Sequence, residues 1–342
     1  MTTEGYFIIK KGAAKEAFEK RSFELSSPKS NEVQIEVEAF GLNYADVMAR
    51  RGLYREAPPL PCIVGYEVVG KIVATGESVS KEWIGKRVLG FTRFGAYAKH
   101  VNTPLHGIVE IDQLPTAEVL ALGTQGVTAY YMSNYMQNTY PNEKVLIHAA
   151  AGGVGSLLIQ LSKLKGATVF AKIGDESKRG LVERLGADHV VNYRQKDYLE
   201  TCLSLLNKER FDVIYNPVAG STFKKDMRLL GSGGRVVLFG GSELSNGKFG
   251  ILSGLNFLRK MGLLLPIGLM MRSKSILGVN MLKIADFKPE IIQHCLLEML
   301  SLYEQGKIQV EVGGTYPEHE LAEAHDLLES GKSQGKISVY WT

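Results

Sequence analysis

Two stretches of this chain combine residue types and spacings that can do chemistry. The first is HAAAGGVGSLLIQLSKLKGA, His148 to Ala167, in which Ala149, Gly152 and Gly155 form A-x-x-G-x-x-G with Gly153 and Val154 inside it. Residues without bulky side chains at such a turn let backbone N–H groups and a positive helix N-terminus approach a pyrophosphate. A Gly-rich turn is weak evidence alone, but here an apolar run (KVLIHAA) precedes it and an amphipathic segment follows, the context that dinucleotide binding demands. The second stretch is GLNYADVMARRGLY, Gly41 to Tyr54, with GYE (Gly65 to Glu67) behind it. Asn43, Asp46, Arg50, Arg51 and Tyr54 allow three readings: a catalytic segment, a degenerate metal site, or the polar surface of a β-rich domain.

The choice of dinucleotide falls about 20 residues past the Gly-rich turn, where an Asp or Glu would hold the ribose hydroxyls of NAD. In ATVFAKIGDESK that place reads Lys172, Ile173, Gly174, with no acid until Asp175. Lysine attracts a 2′-phosphate where an acid repels it. Lys172 and Lys178, with Tyr193 and Arg194 from VVNYRQ, can clamp that phosphate, so NADP(H) is the expected cofactor. The competing reading makes these residues solvated charges at a helix start.

The elements that must position these residues show two textures. From Tyr6 to about Leu120 come short strand patterns, YFIIK, EVQIEVEAFGL, VVGKIVATG, KRVLGFT and AYAKHVN, broken by Gly and Pro without a convincing long helix. From about Pro141, strand and helix alternate: KVLIHAA, SLLIQLSKLKG, ATVFAKI, SKRGLVERLGA, DHVVNY, FDVIYN, GRVVLFGG and SILGVNM. Such alternation builds a parallel sheet covered by helices on both faces. Two further helices and a strand, KISVYW, close the chain.

Composition excludes several classes. The chain has 342 residues, 45% hydrophobic and 22% charged, ordinary for a globular protein of two domains. Forty basic against 36 acidic residues give +4, too little for a nucleic-acid footprint. Cys62, Cys202 and Cys295 are scattered, which argues for a reducing compartment and against a disulfide framework. The N-terminal stretch carries early acids and no long apolar run, so a secretory signal is not expected and the expected location is cytoplasmic. The seven histidines have no metal-ligand spacing, and His148, ending a buried-type strand, reads as a satisfied core residue.

Taken together, AAAGGVGSLLIQLSKLKGATV, ERLGADHVVNY, GGRVVLFG, LLESGKSQGKISV, GLNYADVMARRGLY and PPLPCIVGYEVVGKIVATGESV resemble the zinc-free quinone oxidoreductase branch of the medium-chain dehydrogenase/reductase superfamily, over essentially the whole chain. Within that branch the likeness is to the VAT-1-like subgroup, through the apolar insertion after Gly240-Gly241 and KSILGVNMLKIADF. The resemblance implies an α/β fold: a GroES-like catalytic β domain, residues 1–121 completed by 284–342, and a doubly wound Rossmann domain, 122–283, with NADP(H) in the cleft between them. It also implies a homodimer joined through the Rossmann edge strand at 275–281, although that apolar strand reads equally well as an interior one.

Zinc-dependent relatives carry Cys and His where this chain has Asn43 and Tyr66, and a carboxamide and a phenol do not replace thiolate and imidazole. No metal is therefore expected. Without a Lewis acid the chemistry should be hydride delivery to an already electron-poor acceptor, a quinone or an α,β-unsaturated carbonyl, for which a small apolar substrate is expected. The resemblance places Asn43 beside the nicotinamide and makes Tyr54 a candidate proton donor; the bland alternatives are a turn cap and a rim residue. Asp46 should cap the local helix or pair with Arg50 or Arg51. Thr128, Asn216 and Phe239 match family positions that touch the cofactor.

One segment departs from the generic pattern. GILSGLNFLRKMGLLLPIGLMMRSK, from Gly250, is Leu- and Met-rich, but Arg259, Lys260 and Pro266 make it a poor membrane span. Residues 250–271 read as a lid, a dimer contact or a peripheral lipid patch. The last keeps an alternative function open, an NADPH-binding but catalytically weak protein that binds lipid or a protein partner.

Overall fold

The computed structural model describes residues 1–246 and 250–342, with 245, 246 and 250–253 described by backbone alone. Contacts divide the chain into two compact units: Met1–Thr128 with Leu282–Gly306 and Val310–Thr342, and Ala129–Met281 with Lys307–Gln309.

The first unit is β-rich. Strands β1 (Thr2–Ile8) and β2 (Phe18–Glu24) form an antiparallel pair. β3 (Glu32–Leu42), β4 (Glu67–Thr75), β5 (Arg87–Phe91), β6 (His100–Pro104) and β7 (Ile108–Glu110) build the larger sheet around β3, which pairs with both β4 and β6. Alternation decides which face is inside. Val33, Ile35 and Val37 point into a core shared with Val68, Val88 and Val101, while Glu36 and Glu38 face outward.

The second unit is a six-stranded parallel sheet of β8 (Lys144–Ile147), β9 (Thr168–Ile173), β10 (His189–Asn192), β11 (Phe211–Asn216), β12 (Leu230–Leu238) and β13 (Ser275–Gly278). Its order, β10-β9-β8-β11-β12-β13, reverses direction between β8 and β11, so the crevice beyond their carboxyl ends is the place where this topology binds ligands. Val145, Leu146, Ile147, Val213, Ile214 and Tyr215 are fully buried, as strands covered on both faces must be.

Two closing strands return to the first unit. β14 (Val312–Pro317) pairs parallel with β15 (Lys336–Tyr340), and β15 lies antiparallel on β3. This delivers Lys336 to the end of β3, next to the segment that follows it.

Several elements differ from the sequence reading. SILGVNM is a strand only to Gly278; Met281–Phe287 is helical. β13 lies at the sheet edge, which removes the interior alternative. β14 is hidden in sequence by Gly313, Gly314 and Pro317. Helices Thr116–Ala121 and Val127–Tyr130, separated by a wide π-type turn at Leu122–Gly126, have so many buried residues that they show no amphipathic stripe.

Candidate active site

In the β unit, the site is built where β3 ends. Asn43 leaves the strand in extended conformation and starts the helix Tyr44–Arg50. Asp46, one turn in, is fully buried and holds two backbone donors: Asn43 N at 2.8 Å and Gly65 N at 3.1 Å. It thereby ties the Asn43 segment to the GYE segment. Capping is thus its role; Arg50 and Arg51 pair instead with Glu329. Burial, with a smaller contribution from the Glu67 charge, pushes the Asp46 carboxyl up to about 7. Gly65 has φ of +95°, and a Cβ there would come within 2.7 Å of Ala96 and the Tyr97 ring, so no other residue fits.

Glu67, the first residue of β4, is fully buried and carries the densest polar network of this unit. Its carboxylate forms an ion pair with the equally buried Lys336 and accepts the Thr124 hydroxyl. It also accepts Asn43 Nδ2 at 2.9 Å on both oxygens. Lys336 Nζ donates to Asn43 Oδ1 at 3.3 Å and to Leu42 O at 3.2 Å. Both ends of the Asn43 carboxamide are therefore engaged inside the protein. An internal cation, lysine, sits beside the residues that match zinc-ligand positions.

Tyr66 is 5% exposed, with its ring tilted against Phe94 at 5.3 Å between centroids. Tyr54 is half-buried on the loop after the helix and packs against the same core. The two phenols perturb each other's ionisation, yet the Tyr66 hydroxyl meets no partner in hydrogen-bond geometry. Burial raises both phenols above their ordinary range, so both remain donors at neutral pH. Around Tyr54 run two ion pairs, Lys283–Glu56 at 3.3 Å and Arg93–Asp286 at 2.5 Å.

In the parallel-sheet unit, the turn after β8 has the geometry that the glycines suggest. The helix Gly153–Leu164 starts from Gly152, and a Cβ on Gly155 would stand 2.4 Å from Ala149 O and 2.7 Å from Ala150 Cα. As at any helix start, the N–H groups of its first turn have no intrahelical partners. At the end of β9, Tyr193 packs over Gly174, in the place where an acid would face a ribose. Lys178 is 9% exposed, and burial lowers its ammonium; the Asp175 carboxylate opposes that shift and the exposed Arg194 adds to it.

Lys172 is placed differently from the phosphate clamp expected of it. Its ammonium turns inward, 5% exposed, donating to His148 Nδ1 at 3.0 Å and lying 3.9 Å from the Tyr198 ring centroid and 4.8 Å from that of Tyr193. Burial lowers it to about 8. His148 Nε2 in turn meets Asp226 Oδ1 at 3.0 Å, and Tyr198 donates to the same oxygen at 2.9 Å. Burial holds His148 below its ordinary range, so a neutral imidazole links a buried cation to a buried anion. Asp226, on an element that sequence reasoning passed over, is the hub that it missed; the only signal was an acid on the apolar side of KKDMRLL.

Asn216 belongs to the same network. Nδ2 donates to Thr222 Oγ1 at 2.8 Å and Asp226 Oδ2 at 2.5 Å, while Oδ1 accepts Val218 N and Ala219 N at 2.7 and 2.9 Å. Its side chain shapes the turn after β11. Thr128 lies in the β unit, its hydroxyl donating to Thr124 O at 2.5 Å, and Phe239, half-buried, follows β12. Among the described residues, no group of three or more His, Cys, Asp or Glu is placed to hold a metal ion.

Comparison with known proteins identifies the family. Residues 29–141 match the alcohol dehydrogenase GroES-like domain, and 153–296 match the zinc-binding dehydrogenase family. Quinone oxidoreductase 1 of Escherichia coli is 31% identical over 323 residues, covering 92% of each chain. The human synaptic vesicle membrane protein VAT-1 homolog is 30% identical over 314 residues, 91% of this chain and 79% of that one. The crystal structure of E. coli quinone oxidoreductase complexed with NADPH superposes with a TM-score of 0.86 at 28% identity, covering 98% of this chain and 99% of that one. A GroES-like domain with a Rossmann-type sheet is the medium-chain dehydrogenase/reductase architecture. The chain belongs to the zinc-free branch of that superfamily, with the quinone oxidoreductases and VAT-1 homologues, and is an oxidoreductase.

Two outcomes test the buried networks. Lys336→Met should destabilise the fold by about 3–5 kcal/mol by stranding the Glu67 charge, and adding Glu67→Gln should recover part of the loss; chemical denaturation of the single and double variants measures both. For Asp46, a folded pKa above the unfolded one means that the folded state holds the extra proton between about pH 4 and 7. The stabilisation tied to that proton is complete below the unfolded pKa and is lost as pH rises to 7. The stability difference between wild type and Asp46→Asn should therefore shrink from pH 4.5 to 7.5; a difference that grows over that range contradicts the shift.

Proposed function

We propose that this protein is an NADPH-dependent, metal-independent reductase of quinones or α,β-unsaturated carbonyls. The observation that carries the reading is the pairing of the Gly152–Gly155 turn with a strand end, Lys172 to Gly174, that holds no acid and lies beside Lys178 and Arg194, the first carboxylate being Asp175 in the turn beyond. A Cβ at Gly155 would collide with Ala149 O and the Ala150 backbone and push the helix off the strand, and the cations suit a 2′-phosphate, so the residues present fit the cofactor. Gly152, Gly153, Val154 and Gly155 would hold the pyrophosphate through backbone N–H groups; Lys178, Tyr193 and Arg194 would hold the 2′-phosphate. Lys172 supports that end from beneath, as a buried positive charge under the Tyr193 ring.

Bound NADPH supplies a hydride. The chain's own contribution is to orient the acceptor and to stabilise charge developing on its oxygen. The donor set supports the metal-independent reading. Asn43, its carboxamide committed to Glu67 and Lys336, braces the site rather than touching the acceptor. Tyr54, half-exposed and protonated, is the side chain able to donate to a carbonyl oxygen.

The test is NADPH oxidation, with NADH as control, over a panel of quinones, enones and enals. Turnover is expected with NADPH. The double substitution Lys178→Ala, Arg194→Ala should raise the Kd for NADPH about tenfold or more, roughly 1.4 kcal/mol, while leaving that for NADH nearly unchanged. Protein that binds NADPH and reduces no member of the panel would count decisively against the reductase reading.

A second reading has its own observation. In the helices Gly250–Met261 and Pro266–Met270 and their surroundings, Leu258, Leu263, Met270 and Met271 are 63%, 91%, 73% and 80% exposed. Arg259 and Lys260 lie in the same segment, which carries no acid from 250 to 274. Such a face suits a peripheral contact with an anionic bilayer, and among the described residues no helix is long and apolar enough to cross a membrane. Co-sedimentation with phosphatidylserine-containing liposomes should fall on replacing Leu263, Met270 and Met271 by Ser; unchanged co-sedimentation removes this segment from the account.

A further inference from the structure

Among the described residues, the buried hydroxyl of Tyr66 has no partner in hydrogen-bond geometry, although the Tyr54 phenol lies close enough to shift its ionisation. Tyr66 is 5% exposed, fixed from behind by the Asp46–Gly65 N hydrogen bond and from the side by the Phe94 ring. Phe94 itself sits at a φ of +68°, a conformation that non-glycine residues seldom adopt and that marks sites where a side chain is held against its local preference. An unpartnered buried hydroxyl costs stability, and a phenylalanine would fill the same space without that cost. Neither neighbouring carboxylate supplies the missing contact: the Asp46 oxygens accept Asn43 N and Gly65 N, and the Glu67 oxygens are taken by Asn43, Thr124 and Lys336.

We propose that Tyr66 is an acceptor-binding residue, its phenol joining that of Tyr54 to donate two hydrogen bonds to one carbonyl oxygen of the electron acceptor. This rests on the reductase reading above and deepens it. A carbonyl oxygen has two lone pairs, and the oxygen of a conjugated carbonyl or quinone gains negative charge as hydride arrives at the far end of the system. Two preorganised neutral donors stabilise that charge more than they stabilise the ground state. The Asn43 carboxamide is closed by Glu67 and Lys336, so of Asn43, Tyr54 and Tyr66 the two phenols are the donors that remain. A residue matching a zinc-ligand position would thus hold the oxygen that a metal would otherwise polarise. The substrate class that follows is a conjugated carbonyl with an exposed oxygen, not an isolated alkene.

The test compares wild type, Tyr66→Phe and Tyr54→Phe as full-length protein. With cinnamaldehyde or 1,4-benzoquinone, Tyr66→Phe should lower kcat/KM by about a hundredfold, with the Kd for NADPH unchanged and Tm unchanged or higher. Wild-type kcat/KM in Tyr66→Phe overturns the proposal. So does a fall in Tm, since it would mean that the hydroxyl already has a partner in the fold. If wild type reduces neither acceptor, the reductase reading fails, and an NMR titration of cinnamaldehyde in the presence of NADP+ decides the oxygen site separately. Binding at least tenfold weaker in Tyr66→Phe keeps it; equal binding, or none by wild type, overturns it.

Discussion

The buried ion pair between Glu67 and Lys336 is the constraint on which the β unit is organised. Two opposite charges with no solvent exposure are tolerated only when each is paired and its remaining lone pairs and protons are used. Here that requirement draws in Asn43 from the end of β3, Thr124 from the kinked helical segment and Leu42 O, joining distant parts of the chain at one point. Because Asn43 N and Gly65 N both donate to Asp46, the segment after β3 and the segment before β4 are tied together.

The parallel-sheet unit solves an analogous problem with a neutral histidine. Lys172, His148 and Asp226 form a line of hydrogen bonds in which only the ends carry charge, braced by Tyr198 and Asn216. These residues come from the ends of β8, β9 and β11 and from two helices, so the network fixes the floor beneath the Gly-rich turn. Its position explains why Lys172 and Asn216, expected at the cofactor, have side chains occupied by the protein itself. Tyr193 and Arg194 are exposed at the surface of that unit, and Lys178 is buried near Arg194.

Much of this was legible because it depends on local pattern. Alternation in EVQIEVEAF set the inward face of β3, and continuous apolar runs marked β8, β9, β11 and β12 as buried parallel strands. The Gly-rich turn between strand and helix stood out for the same reason, since the backbone geometry there admits no side chain at Gly155. Elements with weak or mixed patterns were not legible: β14, with its glycines and proline, and the heavily buried helices around residues 116–130. Asp226 escaped notice because its place on the apolar side of KKDMRLL is a faint signal, too short a pattern to tell an acid in solvent from one buried on three hydrogen bonds.

What the sequence by itself determined is the chemical inventory: a dinucleotide turn, a strand end without an acid, and an amide and a phenol where zinc ligands would stand. These follow from residue type and short spacing, which survive without coordinates. Only the tertiary structure decided which of those groups are available. Asn43 and Tyr66 look alike in sequence as poor metal ligands, yet one is consumed by Glu67 and Lys336 and the other keeps an unpaired hydroxyl. That difference depends on Lys336, 269 residues beyond Glu67, arriving on β15. A long-range pairing of buried charge leaves no periodic trace in sequence, because its energy comes from desolvation and geometry that exist only once the sheet has closed.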